Sequence, residues 1–186
     1  MRLFIAIEIP ESIRSAFTSL LKDFRALAPQ LKWVRPENLH VTLKFLGETD
    51  PEKLGPLQSF LSDVRTAEPV HLEFRGLGVF PNEKRPRVFW AGMEASPNLK
   101  TLAADIDQAV HQLGFSLEER SYAPHLTLSR ISLPDIPPIL LQAIHEKSRQ
   151  TFGSICATEF HLIESKLKPA GAEYTTVQSF HFASEA

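Results

Sequence analysis

The sequence predicts an α+β fold of two pseudo-symmetric lobes, each a mostly antiparallel sheet with outer helices, enclosing a central cleft. Three observations predict it. The tetrad His40-Val41-Thr42-Leu43 recurs as His125-Leu126-Thr127-Leu128, 85 residues later, and the same offset carries Arg2-Leu3-Phe4-Ile5-Ala6 onto Arg87-Val88-Phe89-Trp90-Ala91 and Arg35 onto Arg120. Chance supplies only about 0.1 such His-x-Thr-aliphatic matches in a chain of ordinary composition. Helical and strand periodicities interleave, yet several strands follow each other directly, which argues against a purely parallel α/β sheet. No low-complexity linker separates the two copies, so residues 1–186 read as one bilobal domain.

The elements follow in order. Residues 2–9 are apolar enough for a first strand, and Pro10-Glu11 opens a helix with Ile13, Phe17, Leu20, Leu21, Phe24 and Leu27 on one stripe, closed by Pro29. Leu31 to Val34 is a short strand. Residues 39–46 carry the first His-x-Thr and end at Gly47. Asp50 caps a helix with Pro51 at its first position, running to about Arg65 with Leu54, Leu57, Leu61 and Val64 inward. Val70 to Val79 and Arg87 to Glu94 are strands around the turn Pro81–Pro86. Ser96-Pro97 then caps a helix with Leu99, Leu102, Ile106, Val110 and Leu113 inward, stopped by Gly114. A strand near 115–120 and the second His-x-Thr strand, 124–130, follow. Pro134, Pro137 and Pro138 lead into a helix over about 139–149, and strands near 154–165 and 173–182 finish the chain.

Composition narrows the function. At 43% hydrophobic the chain can bury a real core, while a net charge of −2 leaves no bulk basic character for gripping long nucleic acid. An RNA substrate must therefore meet a local basic patch. The single cysteine, Cys156, forbids an internal disulfide and a four-cysteine metal site, and reads as a small buried strand residue. No stretch reaches the ~18 apolar residues of a membrane span. A cytoplasmic protein, monomeric and without a protein partner, is expected.

Strand side chains alternate between faces. His40, Thr42 and Lys44 should therefore share a wet face, with Val41, Leu43 and Phe45 inward. His125, Thr127 and Ser129 repeat the pattern. Histidine exchanges protons near pH 7 without a large pKa shift, and threonine can donate its hydroxyl to a phosphate oxygen. In-line displacement at phosphorus needs a base beside the attacking oxygen and an acid beside the leaving one. One histidine per lobe meets that need, and two threonines can stabilise the charge that develops.

These motifs and their surroundings resemble the 2H phosphoesterase superfamily, and within it the bacterial RNA 2′,3′-cyclic phosphodiesterases, also called 2′-5′ RNA ligases. The match takes in Arg2–Ile7, Leu39–Gly47, Gly76–Pro81, Arg87–Gly92, Tyr122–Arg130 and Leu162–Ser165. The resemblance implies hydrolysis of a terminal 2′,3′-cyclic phosphate to a 2′-phosphomonoester, without metal or cofactor. It also implies roles that pseudo-symmetry alone cannot assign: His40 as proton donor to the leaving O3′, and His125 as the base that activates water. RNA ends or small cyclic nucleotides are the expected substrates.

Other residues invite both readings. Arg130 matches the family pattern, yet strict alternation turns it away from His125, so a phosphate contact and a surface salt bridge stand level. Tyr122, three residues before His125, is a candidate to stack on a nucleobase, whereas Phe45 should pack in the core. Lys84, Arg85 and Arg87, with Lys44, offer a basic rim. Trp33 and Trp90 read as core anchors. His71, His111, His145, His161 and His181 lack a repeated context and read as surface or packing residues. Reverse reaction would seal 2′-5′ linkages, although 55 M water favours hydrolysis. A non-catalytic nucleotide-binding module would not need intact His and Thr in both motifs, and a metallohydrolase would need further ligands beside them.

Overall fold

The computed structural model describes residues 1–132 and 136–182. Among these, nine strands and four helices follow in the order β1 (Arg2–Glu8), α1 (Glu11–Leu27), β2 (Lys32–Trp33), β3 (His40–Glu48), α2 (Leu54–Asp63), β4 (Val70–Phe80), β5 (Val88–Ala95), α3 (Asn98–His111), β6 (Leu126–Arg130), α4 (Pro138–Glu146), β7 (Thr151–Ala157), β8 (Glu159–Lys168) and β9 (Gly171–His181). The pairing is antiparallel throughout, in the order β7-β4-β5-β6-β3-β1-β8-β9, with β2 added to β6. Two four-stranded halves, β9-β8-β1-β3 and β6-β5-β4-β7, thus meet at β3 and β6. A single residue pair, Val41 with Leu126, joins them. This pair lies at the centre of the pseudo-symmetry.

The lobes are not sequential halves of the chain. Strand β4, from the first copy, lies in the second lobe, while β8, from the second copy, pairs with β1. The helices cross in the same way. Phe17 of α1 packs on Phe74 of β4 and Phe152 of β7, and Phe24 stacks on Phe89 of β5. Phe17, Phe24, Phe74 and Phe89 are fully buried, each stabilising the fold by about 1.5–3 kcal/mol. The exchange ties the two copies into one core that neither could complete alone.

Several expected elements differ. Residues 115–120 form no strand; Phe115 packs its ring against the core instead. The strand expected at 154–165 divides at Thr158 into β7 and β8, which join opposite ends of the sheet. Asp50 makes no side-chain cap. Its carbonyl accepts from Lys53 in a short 3-10 turn, Pro51–Lys53, ahead of α2. Helix α4 ends at Glu146, and Pro134 lies outside the described residues. Cys156 is exposed on β7, with its Sγ 4.0 Å from His71 Nε2.

The repeat also slips by one residue between β1 and β5. Leu3, Ile5 and Ile7 face the helices, as do Phe89 and Ala91, whereas Phe4 joins Ala6 and Ile163 in a small cluster on the opposite face. Matching faces requires an offset of 84, with Ile5 on Phe89 and Phe4 on Val88, because a one-residue slip turns every side chain over. Trp90 accordingly leaves the core. It lies on the cleft face across Gly78, its partner on β4, and a Cβ at Gly78 would come within 2.4 Å of the indole ring. Trp33 does anchor to the core, donating from its indole to Ala28 O at 2.8 Å.

Candidate active site

Val41 and Leu126 are fully buried against the helices. Their flanking residues therefore project from the opposite face. Extending the antiparallel pairing places His40 opposite Thr127 and Thr42 opposite His125. The histidines are then diagonal neighbours about the pseudo-two-fold point, for which backbone separations of roughly 7–8 Å are usual. Neither threonine hydroxyl has a protein hydrogen-bond partner among the described residues. His40 opens β3, while His125 stands one residue ahead of β6.

Each imidazole is oriented by the same device. His40 Nδ1 donates to Asn38 O at 2.7 Å, and His125 Nδ1 to Ala123 O at 2.9 Å, in both cases the carbonyl two residues earlier. A carbonyl only accepts, so Nδ1 holds the proton and Nε2 is the nitrogen left for chemistry. Asn38 is itself fixed, donating its amide to Ala172 O at 2.8 Å, and neighbouring Arg35 donates to Ala170 O. Aromatic rings flank each histidine. Phe4 lies 4.7 Å and Tyr174 5.4 Å from the His40 ring, and Phe80 lies 5.2 Å from the His125 ring. Burial pushes the His40 pKa down. The bond to Asn38 raises it, Arg130 lowers it, Glu8 raises it and His125 lowers it, with a net result below the ordinary imidazole range.

Bulges rearrange what alternation predicts. On β3, Ile5 pairs with Lys44 and Ala6 with Thr42, so Leu43 is an extra residue. On β6, Phe89 pairs with Ser129 and Trp90 with Thr127, so Leu128 is extra. These are equivalent positions in the repeat. A bulge sends two successive side chains to the same side and inverts the alternation beyond them. Lys44 therefore turns inward. It is 7% exposed, with Nζ 2.6 Å from Asp107 Oδ1 on α3 and 2.7 Å from Ser116 O. The expected place for Lys44 on the wet face is thus corrected: the residue borders the His125-side cavity, but its ammonium is held by Asp107 and Ser116. Ser129 likewise turns inward, fully buried, and donates to Lys32 O at 3.0 Å.

The same bulges bring Phe45 and Arg130 onto the cleft face. Phe45, expected in the core, is 59% exposed, paired with Phe4 and 6.1 Å from its ring. Arg130 is exposed beside His40 and Tyr174, near enough for its charge to disfavour an imidazolium at His40. Tyr122 donates its hydroxyl to Thr42 O at 2.9 Å, latching the loop ahead of His125 onto β3. Burial raises that phenol far above its ordinary range, so it remains a neutral donor.

Two cavities flank the pair. One, about 700 Å³, lies on the His125 side between Phe80, Pro81, Arg87 and the loop Glu118–Ala123. The other, about 790 Å³, lies on the side of Phe4, Asn38 and Tyr174, bounded by Lys32–Arg35, Arg130 and the β8–β9 turn. Phe45 lines both. Sequence reasoning missed Arg2, Lys32 and Lys168 in the second cavity. The repeat of Arg35 onto Arg120 was the available signal, for these arginines line equivalent places in the two cavities. Lys84 and Arg85 instead sit in an exposed turn whose backbone is held by the Asn82 side chain. The remaining histidines contact other groups: His145 meets Glu83, His161 meets Ser179, and His111 meets Phe115 O.

Two imidazoles on one face, with threonine hydroxyls and an arginine beside them, are the kinds of group that acid–base attack on a phosphoryl group requires. Comparison with known proteins shows the family. The family model described as LigT like Phosphoesterase matches residues 7–90 and 93–174. The RNA 2′,3′-cyclic phosphodiesterase of Archaeoglobus fulgidus is 36% identical over 180 residues, 97% of this chain and 99% of that protein. That of Methanothermobacter thermautotrophicus is 35% identical, covering 97% and 98%. A solved structure from Thermus thermophilus has a TM-score of 0.81 at 32% identity, covering 98% of each chain. E. coli LigT complexed with 3′-AMP has a TM-score of 0.75 at 29% identity, again covering 98% of each.

Proposed function

We infer the mechanism from one premise: this chain belongs to the LigT-like phosphoesterase family. It hydrolyses the 2′,3′-cyclic phosphate at RNA ends, the activity for which its full-length relatives are named. The assignment of residues to steps is our proposal. The observation that carries it is the matched pair of imidazoles on one face, each with Nδ1 held by the carbonyl two residues earlier.

His125 Nε2 removes a proton from water as its oxygen attacks phosphorus. His40 Nε2 gives a proton to O3′ as the P–O3′ bond breaks, leaving a 2′-phosphomonoester. Thr42 and Thr127 donate to the non-bridging oxygens, and Arg130 offsets the growing negative charge. Phe45 supplies a flat apolar surface for the terminal base, a role supported by its exposure in the cleft. Tyr122 positions the second motif through its bond to the Thr42 carbonyl rather than by meeting substrate. In the reverse direction the same groups would join 2′-5′ linkages as a minor reaction.

His40 must start protonated, whereas its burial in the free protein favours the neutral form. A bound phosphodiester anion reverses this, because an opposite charge beside the ring favours imidazolium. We further propose that residues 1–186 act as one bilobal monomeric unit in the cytoplasm. The continuous sheet and exchanged strands support the single unit, and no described helix is long and apolar enough to cross a membrane.

The test is incubation of purified protein with an oligoribonucleotide ending in a 2′,3′-cyclic phosphate, with and without EDTA. The product should be a 2′-phosphomonoester in both conditions. His40→Ala and His125→Ala should each remain folded and lose at least about 10²-fold in turnover. A folded variant with wild-type turnover refutes the two-histidine assignment. Activity lost in EDTA and restored by a divalent metal refutes the metal-free one.

A further inference from the structure

The pseudo-symmetry that makes the two histidines alike fails in the charge beside them. The cavity on the His40 side is lined by Arg2, Lys32, Arg35, Arg130 and Lys168, with no aspartate or glutamate among the described residues of its lining. All five are exposed, and none forms a salt bridge among the described residues. Glu48, the cross-strand partner of Arg2, lies 3.7 Å from the amino terminus instead. The related cavity beside His125 has Arg87 and Arg120 as its free cations, includes Glu118, and is walled by Phe80, Val88 and Tyr122.

Five uncompensated cations in one cavity repel each other, and this chain carries a net charge of −2. A single terminal phosphate needs no more than Arg130. The other four require more negative charge than the reacting group brings. In-line geometry says where that charge lies. At the transition state the ribose is tied to phosphorus by the leaving apical O3′ and the retained equatorial O2′, and water occupies the apex opposite O3′. The chain 5′ of the reacting phosphate must therefore leave on the side of the group that protonates O3′.

Resting on the reaction described above, we propose that the His40-side cavity is a subsite for the backbone phosphates of the nucleotides immediately upstream of the cyclic end, held by Arg2, Lys32, Arg35 and Lys168. The substrate is then an RNA strand end in preference to a free cyclic mononucleotide. This charge difference also orients the strand, and so makes His40 rather than His125 the donor. The Arg35 bond to the turn carbonyl at Ala170 holds one wall of the subsite in place.

The test compares 2′,3′-cyclic AMP with oligoadenylates of two, three and five nucleotides ending in a cyclic phosphate. At low salt kcat/KM should rise by about tenfold or more from one nucleotide to three, and its logarithmic salt slope should steepen by about 0.7 for each phosphate held. The double variant Lys32→Gln/Lys168→Gln should turn over cyclic AMP like wild type and lose the gain with length. Both side chains are exposed, and matching melting curves confirm the fold. Arg120→Gln, at the symmetry-related place beside His125, should keep the gain. Equal kcat/KM at every length, or a gain that survives in the double variant, overturns the subsite. A gain lost in Arg120→Gln but kept in the double variant overturns the polarity. If cyclic AMP is hydrolysed without length dependence, only this inference fails. If no cyclic phosphate is hydrolysed at any length, the reaction itself fails.

Discussion

Lys44→Met separates the two places this lysine could occupy. On the wet face it would meet phosphate, and its loss would weaken turnover while sparing stability. In the structure it is 7% exposed and bonded to Asp107 at 2.6 Å and to Ser116 O at 2.7 Å. Removing one member of a buried ion pair leaves the other charge uncompensated, at a cost of about 3–5 kcal/mol in well-buried cases. Asp107 keeps 16% of its surface, so the lower end, about 3 kcal/mol, is expected. For a chain of this size that lowers the melting temperature by roughly 6–12 °C. The pH dependence should change as well. Burial raises the Asp107 pKa, but the hydrogen bond and charge of Lys44, with the Glu118 backbone N–H, hold it below the ordinary carboxylate range. A depressed carboxylate pKa adds stability above the unfolded-state value, and this is lost as pH falls through the folded-state value. The variant should therefore lose much of its stability at pH 7 and show a shallower decline on acidification. Urea titrations at pH 7 and pH 3 measure both, and cyclic-AMP turnover below the melting transition should stay within a few-fold of wild type. An unchanged urea midpoint combined with a large fall in kcat/KM would refute the inward placement and the bulge behind it.

Two further predictions concern the site. With His40 as donor, loss of its proton sets the alkaline limb of the rate profile. The kcat/KM limb reports the free protein, where the His40 pKa is lowered, and the kcat limb reports the complex, where the phosphate anion raises it. The alkaline limb of kcat should thus lie at higher pH than that of kcat/KM; coincident limbs, with chemistry rate-limiting, would count against His40 as donor. Gly78→Ala should force Trp90 off its seat, disturb Thr127 beside it on β6, and cost about 1–3 kcal/mol of stability. Near-ultraviolet circular dichroism reads this directly, since Trp33 and Trp90 are the only tryptophans; an unaltered spectrum and melting curve would refute the packing argument.

Much of the protein follows from local chemistry. The stripe Ile13, Phe17, Leu20, Leu21 and Phe24 has helical period, and all five residues are buried in α1. The two His-x-Thr segments alternate correctly as far as Thr42 and Thr127, because side-chain direction along a strand is set by the strand itself. Their repetition also predicts two equivalent places about one centre. What lies beyond each threonine was not legible. An extra residue at Leu43 or Leu128 exists only relative to a partner strand, and the partner lies far away in sequence. Pairing with β1 and β5 therefore decides that Lys44 and Ser129 go inward and that Phe45 and Arg130 face the cleft. The division of 154–165 at Thr158 is non-local for the same reason: β7 and β8 are nearly continuous in the chain but complete sheets on opposite sides of the molecule. The basic cavity is the furthest from local reading. Arg2, Lys32, Arg35, Arg130 and Lys168 come from separate segments with no shared period, and only the closure of the sheet brings their charges onto one wall. Sequence determined most of the elements and the two His-x-Thr groups, since period and residue chemistry act within a few positions. Tertiary structure decided which side chains join those groups, since bulges, exchanged strands and summed charge arise between segments that meet only on folding.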